Sequence, residues 1–202
     1  EATVPDAPAD PRPTPSTAGD SRSAITPDIL GEPWVARRIP VTESPTKAPG
    51  ADHAVLVFQR EAAGRASRPR HSRAVLYLHG RSDYFFQTHL AREISRLGGA
   101  FYALDLRRYG RSWREGQMLG WCTSLAEYDE DLGLALSAIR ADQGWETELV
   151  LSGHSTGGLV ASLWADRHPG ALRALVLNSA WLSLQGSEIV RTVGDPVLRT
   201  LA

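Results

Sequence analysis

The sequence predicts an α/β protein: a mostly parallel sheet with helices on both faces. Three observations predict it. From residue 53 to residue 180, short apolar runs of strand length alternate with longer stretches of helical spacing. Several of those runs are nearly continuous in apolar residues, as in strands buried on both faces. The chemically distinctive residues His79-Gly80, Asp105 and Gly153 to Gly157 each follow the end of such a run. In open parallel sheets, that edge is where ligands bind.

The elements follow in order. Residues 1–33 read as a flexible, Pro-rich arm. "EATVPDAPADPRPTPSTAGD" has five prolines and almost no large apolar side chain, too little to repay the entropy of ordering. The composition changes at Trp34, where the domain begins. "HAVLVFQRE" (53–61) reads as a strand, and "EAAGRASRPRHSR" (61–73) as a solvated connection. Its arginines, with Arg60 (Arg65, Arg68, Arg70 and Arg73), make a local basic stretch rather than a phosphate site. "AVLYLHG" (74–80) is a short buried strand. "FFQTHLAREISRLGG" (85–99) has helical spacing, with Leu90, Ile94 and Leu97 on one side and Gly98 as the stop. "AFYALDL" (100–106) is the next strand. The longest helix is expected over 124–144, with Leu125, Tyr128, Leu132, Leu136 and Ile139 as its stripe and Ser124 with Glu127 as a capping box. "ELVLSG" (148–153) is a strand, residues 155–170 a helix ended by Pro169 and Gly170, and "LRALVLNSA" (172–180) a strand.

The totals exclude some classes. Twenty-two basic and 23 acidic side chains leave a net charge of −1, with nothing to suggest a nucleic-acid groove. One cysteine, Cys122, excludes an internal disulfide framework and a metal cluster built on cysteines, and it fits a reducing compartment such as the cytoplasm. No apolar run is long enough to span a membrane. The first residue is Glu, which leaves room for a removed leader.

One stretch carries chemistry. Gly153-His154-Ser155-Thr156-Gly157 fits G-x-S-x-G, between an expected strand and an expected helix. A serine on so sharp a turn projects its hydroxyl from the sheet edge. The following helix aims its amino end at the same spot. Flanking glycines let the backbones approach, and Gly158 lets the helix pack closely. The plain alternative is that Ser155 caps the helix. His154, its neighbour on a tight turn, points elsewhere and reads as a packing or pocket-wall residue rather than a base.

Acyl transfer also needs N–H donors for the oxyanion. In a strand–turn–helix site one donor follows the nucleophile, and another comes from the loop after an earlier strand. These are the backbones of Thr156 and Arg81, with Gly80 beside the substrate. The His79 side chain reads as a satisfied structural histidine. Asp105 reads as an acceptor for loop backbone. Trp113, Met118, Trp121 and Trp181 suit either an apolar pocket or the core.

These residues resemble the α/β-hydrolase superfamily, and more narrowly the monoacylglycerol lipase/lysophospholipase-like serine hydrolases. The resemblance rests on "LHG" followed by "DYFFQTHLA", and on "ALDLRRYGRS", "YDEDL", "LSGHSTGG" and "ALVLNSAWL", over about residues 75–182. It implies the α/β-hydrolase fold and Ser155 as nucleophile. It implies an oxyanion hole from Arg81 and Thr156, small-molecule ester substrates with an acyl chain, no metal and no organic cofactor. Arg81-Ser82 departs from the family, which often has small or apolar residues there. A proline-iminopeptidase-like peptidase shares these motifs, and an inactive binding protein could keep them as architecture. Haloalkane dehalogenation is disfavoured, because it uses a carboxylate where this chain has serine.

A serine hydroxyl needs a base, and in this fold the acid and the histidine follow the serine. After Ser155 come Asp166, Glu188 and Asp195, but only one histidine, His168. It lies thirteen residues along the helix, about 20 Å away at 1.5 Å per residue. The triad is therefore expected to be incomplete within these 202 residues. The domain is expected to be incomplete at its C-terminal end, with the start of a cap near 181–202.

Overall fold

The structure, a computed structural model, describes residues 24–42, 52–60 and 71–183. Its elements are strands β1 (Ile25–Pro27), β2 (Trp34–Pro40), β3 (His53–Gln59) and β4 (Arg73–Leu78), helix α1 (Thr88–Arg96), strand β5 (Ala100–Asp105), helix α2 (Tyr128–Gln143), strand β6 (Glu148–His154), helix α3 (Thr156–Arg167) and strand β7 (Ala174–Asn178). The seven strands form one sheet in the order β1-β2-β3-β5-β4-β6-β7. β4, β5, β6 and β7 run parallel, while β1, β2 and β3 are antiparallel to their neighbours.

Two-residue periodicity divides the core. Leu56, Leu76, Leu78, Tyr102, Leu104 and Leu151 face one side, where α2 and α3 cover them with Leu132, Leu136, Ile139, Val160 and Trp164. Val55, Val57, Tyr77, Phe101 and Ala103 face the other side, under α1 and the ring of Phe85. Burial of these alternating faces is the main force holding the sheet.

The expected class holds, with corrections at the borders. Residues 24–33 are not arm. β1 pairs with β2, and Asp28 turns the chain between them by accepting from the Leu30 N–H. Residues 1–23 lie outside the described residues. β2 escapes the sequence reading because its pattern, WVARRIP, carries two arginines and a proline at the sheet's antiparallel side. α1 starts at Thr88, and Leu97 is 73% exposed, not on the buried side. The preceding Phe85 takes that core role from the loop. The long helix begins with a 3-10 turn over Leu125–Glu127, and its stripe of Tyr128, Leu132, Leu136 and Ile139 is buried as expected. Ser124 does cap, through Ala126 N–H at 3.2 Å. Glu127, however, accepts from the N–H of Thr123 at 2.7 Å.

β7, at the far edge of the sheet from β1, is poorly covered. Val176 and Leu177, which point to opposite faces, are 50% and 42% exposed. Residues 184–202, where the cap was expected, lie outside the described residues, as do Glu188 and Asp195.

Candidate active site

Ser155 sits where β6 ends and α3 begins, with φ 52° and ψ −118°. That is a region a side-chain-bearing residue rarely enters, and holding it there costs about 1–3 kcal/mol. The surrounding backbone fixes it. Ser155 N–H donates to Asn178 O of β7 at 3.1 Å, and Ser155 O accepts from Gly158 N–H at 3.0 Å and Trp181 N–H at 3.0 Å. Its side chain makes no capping hydrogen bond, although it occupies the cap position. The helix-cap alternative therefore lacks its defining contact.

The glycines make this turn possible by close approach. A Cβ at Gly153 would lie 2.5 Å from Gly157 O and 2.6 Å from Gly158 Cα. A Cβ at Gly157 would overlap the carbonyl oxygens of His79 and, at 2.7 Å, Leu78. The amino end of α3 is thus seated directly on the backbone that leaves β4. α3 has no acidic residue in its first turn, so its positive end is not neutralised.

The loop after β4 lies beside the serine. A Cβ on Gly80 would stand 3.2 Å from Ser155 Cβ and 3.3 Å from His154 Cδ2. The structure therefore brings Gly80, His154 and Ser155 together, with Thr156 next in chain and Arg81 next after Gly80. The Arg81 side chain is exposed, as is Ser82, whose φ is 53°. His154 is half-buried, and its Nδ1 is buried without a hydrogen-bond partner.

His79 is buried, and both ring nitrogens are used. Nδ1 is 2.8 Å from Gly80 O, and Nε2 is 3.2 Å from Leu106 N. Its ring packs on Tyr109 with centroids 4.7 Å apart. Burial pushes its pKa below the usual histidine value. It is a satisfied histidine. Asp105, fully buried, accepts from Phe85 N–H at 3.1 Å, Arg111 N–H at 3.0 Å and Arg111 Nη1 at 2.9 Å. That matches its reading as an acceptor for loop backbone.

Sequence reasoning missed the charge network behind this loop. Arg107 donates to Asp131 from its backbone at 2.8 Å and from Nε at 2.7 Å, and to Glu130 from Nη2 at 2.8 Å. Burial alone would lower the Arg107 pKa, but the carboxylates of Asp131 and Glu130 outweigh it and keep the guanidinium charged. Arg108, at φ 64° and buried, donates to Asp52 at 2.7 Å and to Trp121 O at 2.5 Å. Arg111 grips Asp28 with Nε at 2.6 Å and Nη2 at 2.9 Å, and also reaches Phe85 O at 3.0 Å. "YDEDL" contains Asp131, but no spacing rule joins it to Arg107.

Other expectations change. Trp113, Met118 and Trp121 are exposed, Met118 at 66%, so they are not core; Trp181 is half-buried. His168 ends α3, stacked on Trp164 with its Nδ1 2.9 Å from Trp164 O. Asp166 is exposed on the same last turn. Arg60 pairs with Glu32 at 3.7 Å and Arg73 with Glu148 at 2.9 Å, both on the surface. Arg65, Arg68 and Arg70 lie outside the described residues. Among the described residues, no helix is long and apolar enough to cross a membrane.

A strand order with one reversal, a serine held at positive φ between strand and helix, and a glycine loop packed against it define an α/β-hydrolase domain. The chain matches the family described as "Serine aminopeptidase, S33" over residues 69–201, and it belongs to that family. It is 30% identical over 112 residues to lysophospholipase L2 of Escherichia coli strain K12, covering 54% of this chain and 33% of that protein. Among solved structures, it resembles DcsB in complex with its substrate analogue (TM-score 0.55, 20% identity, 81% of this chain and 52% of that one). It also resembles a thermostable carboxyl esterase from Bacillus coagulans in complex with glycerol (TM-score 0.55, 17% identity, 82% and 50%). At these identities the structures establish the fold. The chain spans a third of the lysophospholipase and about half of each solved chain.

Proposed function

We propose that this chain carries the nucleophile and oxyanion hole of a serine hydrolase that cleaves carboxylic esters of acyl-chain lipids, of the monoacylglycerol or lysophospholipid kind. The observation that carries this reading is Ser155 at φ 52° with no capping bond, beside the Gly80 loop. The 30% identity to a lysophospholipase supports the substrate class.

In this mechanism Ser155 Oγ attacks the ester carbonyl, and its proton passes to a base. The backbone N–H groups of Arg81 and Thr156 hold the oxyanion. The C–O bond to the alcohol breaks, and the alcohol leaves with that proton. Water then releases the acid from the acyl-enzyme. Three of the described histidines are poorly suited to be the base. His79 is fully bonded, His154 adjoins the nucleophile in sequence, and His168 lies at the far end of α3.

The test is labelling of the full-length protein with a fluorophosphonate. The probe should modify Ser155, and Ser155→Ala should abolish labelling and ester hydrolysis together. Unmodified Ser155 would leave an inactive binding protein. The family description favours a second reading, a peptidase cleaving amino-terminal residues. Parallel assays on acyl esters and on aminoacyl amides separate the two, and faster turnover of the amides would overturn the ester reading.

A further inference from the structure

We propose that His79 is a positioning residue for the oxyanion hole: its Nδ1–H holds the carbonyl of the Gly80–Arg81 peptide and so aims the Arg81 N–H of that same peptide at the reacting oxygen. The proposal rests on the serine-hydrolase reading above.

Two backbone contacts fix the histidine's proton. Leu106 N–H can only donate, so Nε2, 3.2 Å away, must be the acceptor. Gly80 O can only accept, so Nδ1, 2.8 Å away, must carry the hydrogen. A side chain whose tautomer is normally ambiguous is here set by two partners of fixed polarity. Burial, which lowers the pKa of His79 despite Asp105 and Asp83 nearby, keeps the ring in this neutral form.

The peptide plane transmits the effect. Gly80–Arg81 is a trans bond, so its C=O and N–H point in opposite directions across one rigid unit. With the carbonyl drawn into the protein by His79, the Arg81 N–H must face outward. Ser155 stands beside this peptide, since a Cβ on Gly80 would lie 3.2 Å from Ser155 Cβ. Rotating the plane would move the N–H away from the reacting oxygen and leave the carbonyl oxygen in its place. The ring itself cannot shift easily. Tyr109 covers one face, and Leu106 holds Nε2 between Asp105 and Arg107, both anchored by charge.

The test compares two substitutions in the full-length protein. Asn places its amide nitrogen near the position of Nδ1 and can still donate to Gly80 O. Gln reaches toward the position of Nε2 and can serve only Leu106. His79→Asn is expected to label with fluorophosphonate within about threefold of wild type, and His79→Gln to label on the order of 10- to 100-fold more slowly with little change in KM for ester. A filling role alone predicts that both variants fall equally or that Gln is the better, and either result overturns the proposal. Thermal melts show whether both fold. Ring 15N NMR of wild-type His79 gives a readout that needs neither folding variants nor activity. Nδ1 must be protonated and Nε2 bare at neutral pH, and the reverse tautomer or a doubly protonated ring overturns the proposal. If wild-type protein is not labelled at all, the hydrolase reading fails and takes this role with it. If only the Asn/Gln split fails, the hydrolase reading stands.

Discussion

Two turns at the same sheet edge are built by opposite means. The β6–α3 turn that holds Ser155 is made by missing atoms. Gly153 and Gly157 leave no room for a Cβ, so helix and strands meet backbone to backbone. The segment after β5 is made by added charge. Arg107, Arg108 and Arg111 each send a guanidinium to a carboxylate distant in sequence: Asp131, Asp52 and Asp28. The first device sets a geometry that tolerates no volume. The second fastens separate elements together and tolerates no loss of a partner.

The contrast breaks first on the charged side. Asp131→Asn keeps the shape but leaves Arg107 buried without its main counter-ion. It is expected to cost about 3–5 kcal/mol in denaturant unfolding. The double replacement Arg107→Met with Asp131→Leu should recover much of that loss, since an apolar pair needs no desolvation of charge. If the double variant is no better than the single, the network is more than an ion pair.

On the glycine side the perturbation is one methyl group. Gly157→Ala forces a Cβ onto the His79 and Leu78 carbonyls and is expected to cost about 1–3 kcal/mol. Fluorophosphonate labelling should fall far more than stability does, because the helix end must lift away from the site. Comparing labelling rates with unfolding midpoints decides this. Labelling that tracks the folded fraction alone would mean the close approach is not needed.

The smallest effect is a pH dependence at the edge of the charged region. Burial, with Arg38 and Arg114 nearby, holds the His53 pKa down at about 4, against 6.5 unperturbed. The unfolded chain therefore binds a proton that the folded chain refuses. This contribution is fully present above pH 6.5 and is lost progressively as pH falls from 6.5 toward 4. Denaturant midpoints measured across that range should decline, and His53→Gln should flatten the decline.

The two devices also differ in how far they can be read from sequence. The glycine turn is local. Its residues lie within six positions, so Gly153, Ser155 and Gly157 announce themselves by spacing. The same holds for the strands β3 to β7, whose apolar runs are near-continuous. Asp105 was legible because it ends a strand. The arginine network was not, since Arg111 and Asp28 are 83 residues apart and only folding joins them. β1 and β2 were hidden for a related reason. β2 is held by antiparallel pairing to β3, and β1 by pairing to β2 and by the turn at Asp28, not by a pattern of their own. The exposure of Trp113 and Trp121 contradicts their apolar character, which marks hydrophobicity but not which surface it faces.

The unusual backbone of Ser155 sets durability against the proposed reactivity at one residue. Glycine would occupy φ 52° without penalty, so Ser155→Gly should yield a more heat-resistant protein that no longer reacts with an acylating probe. A random screen for thermostability alone would drift toward that substitution and discard the proposed nucleophile in the process.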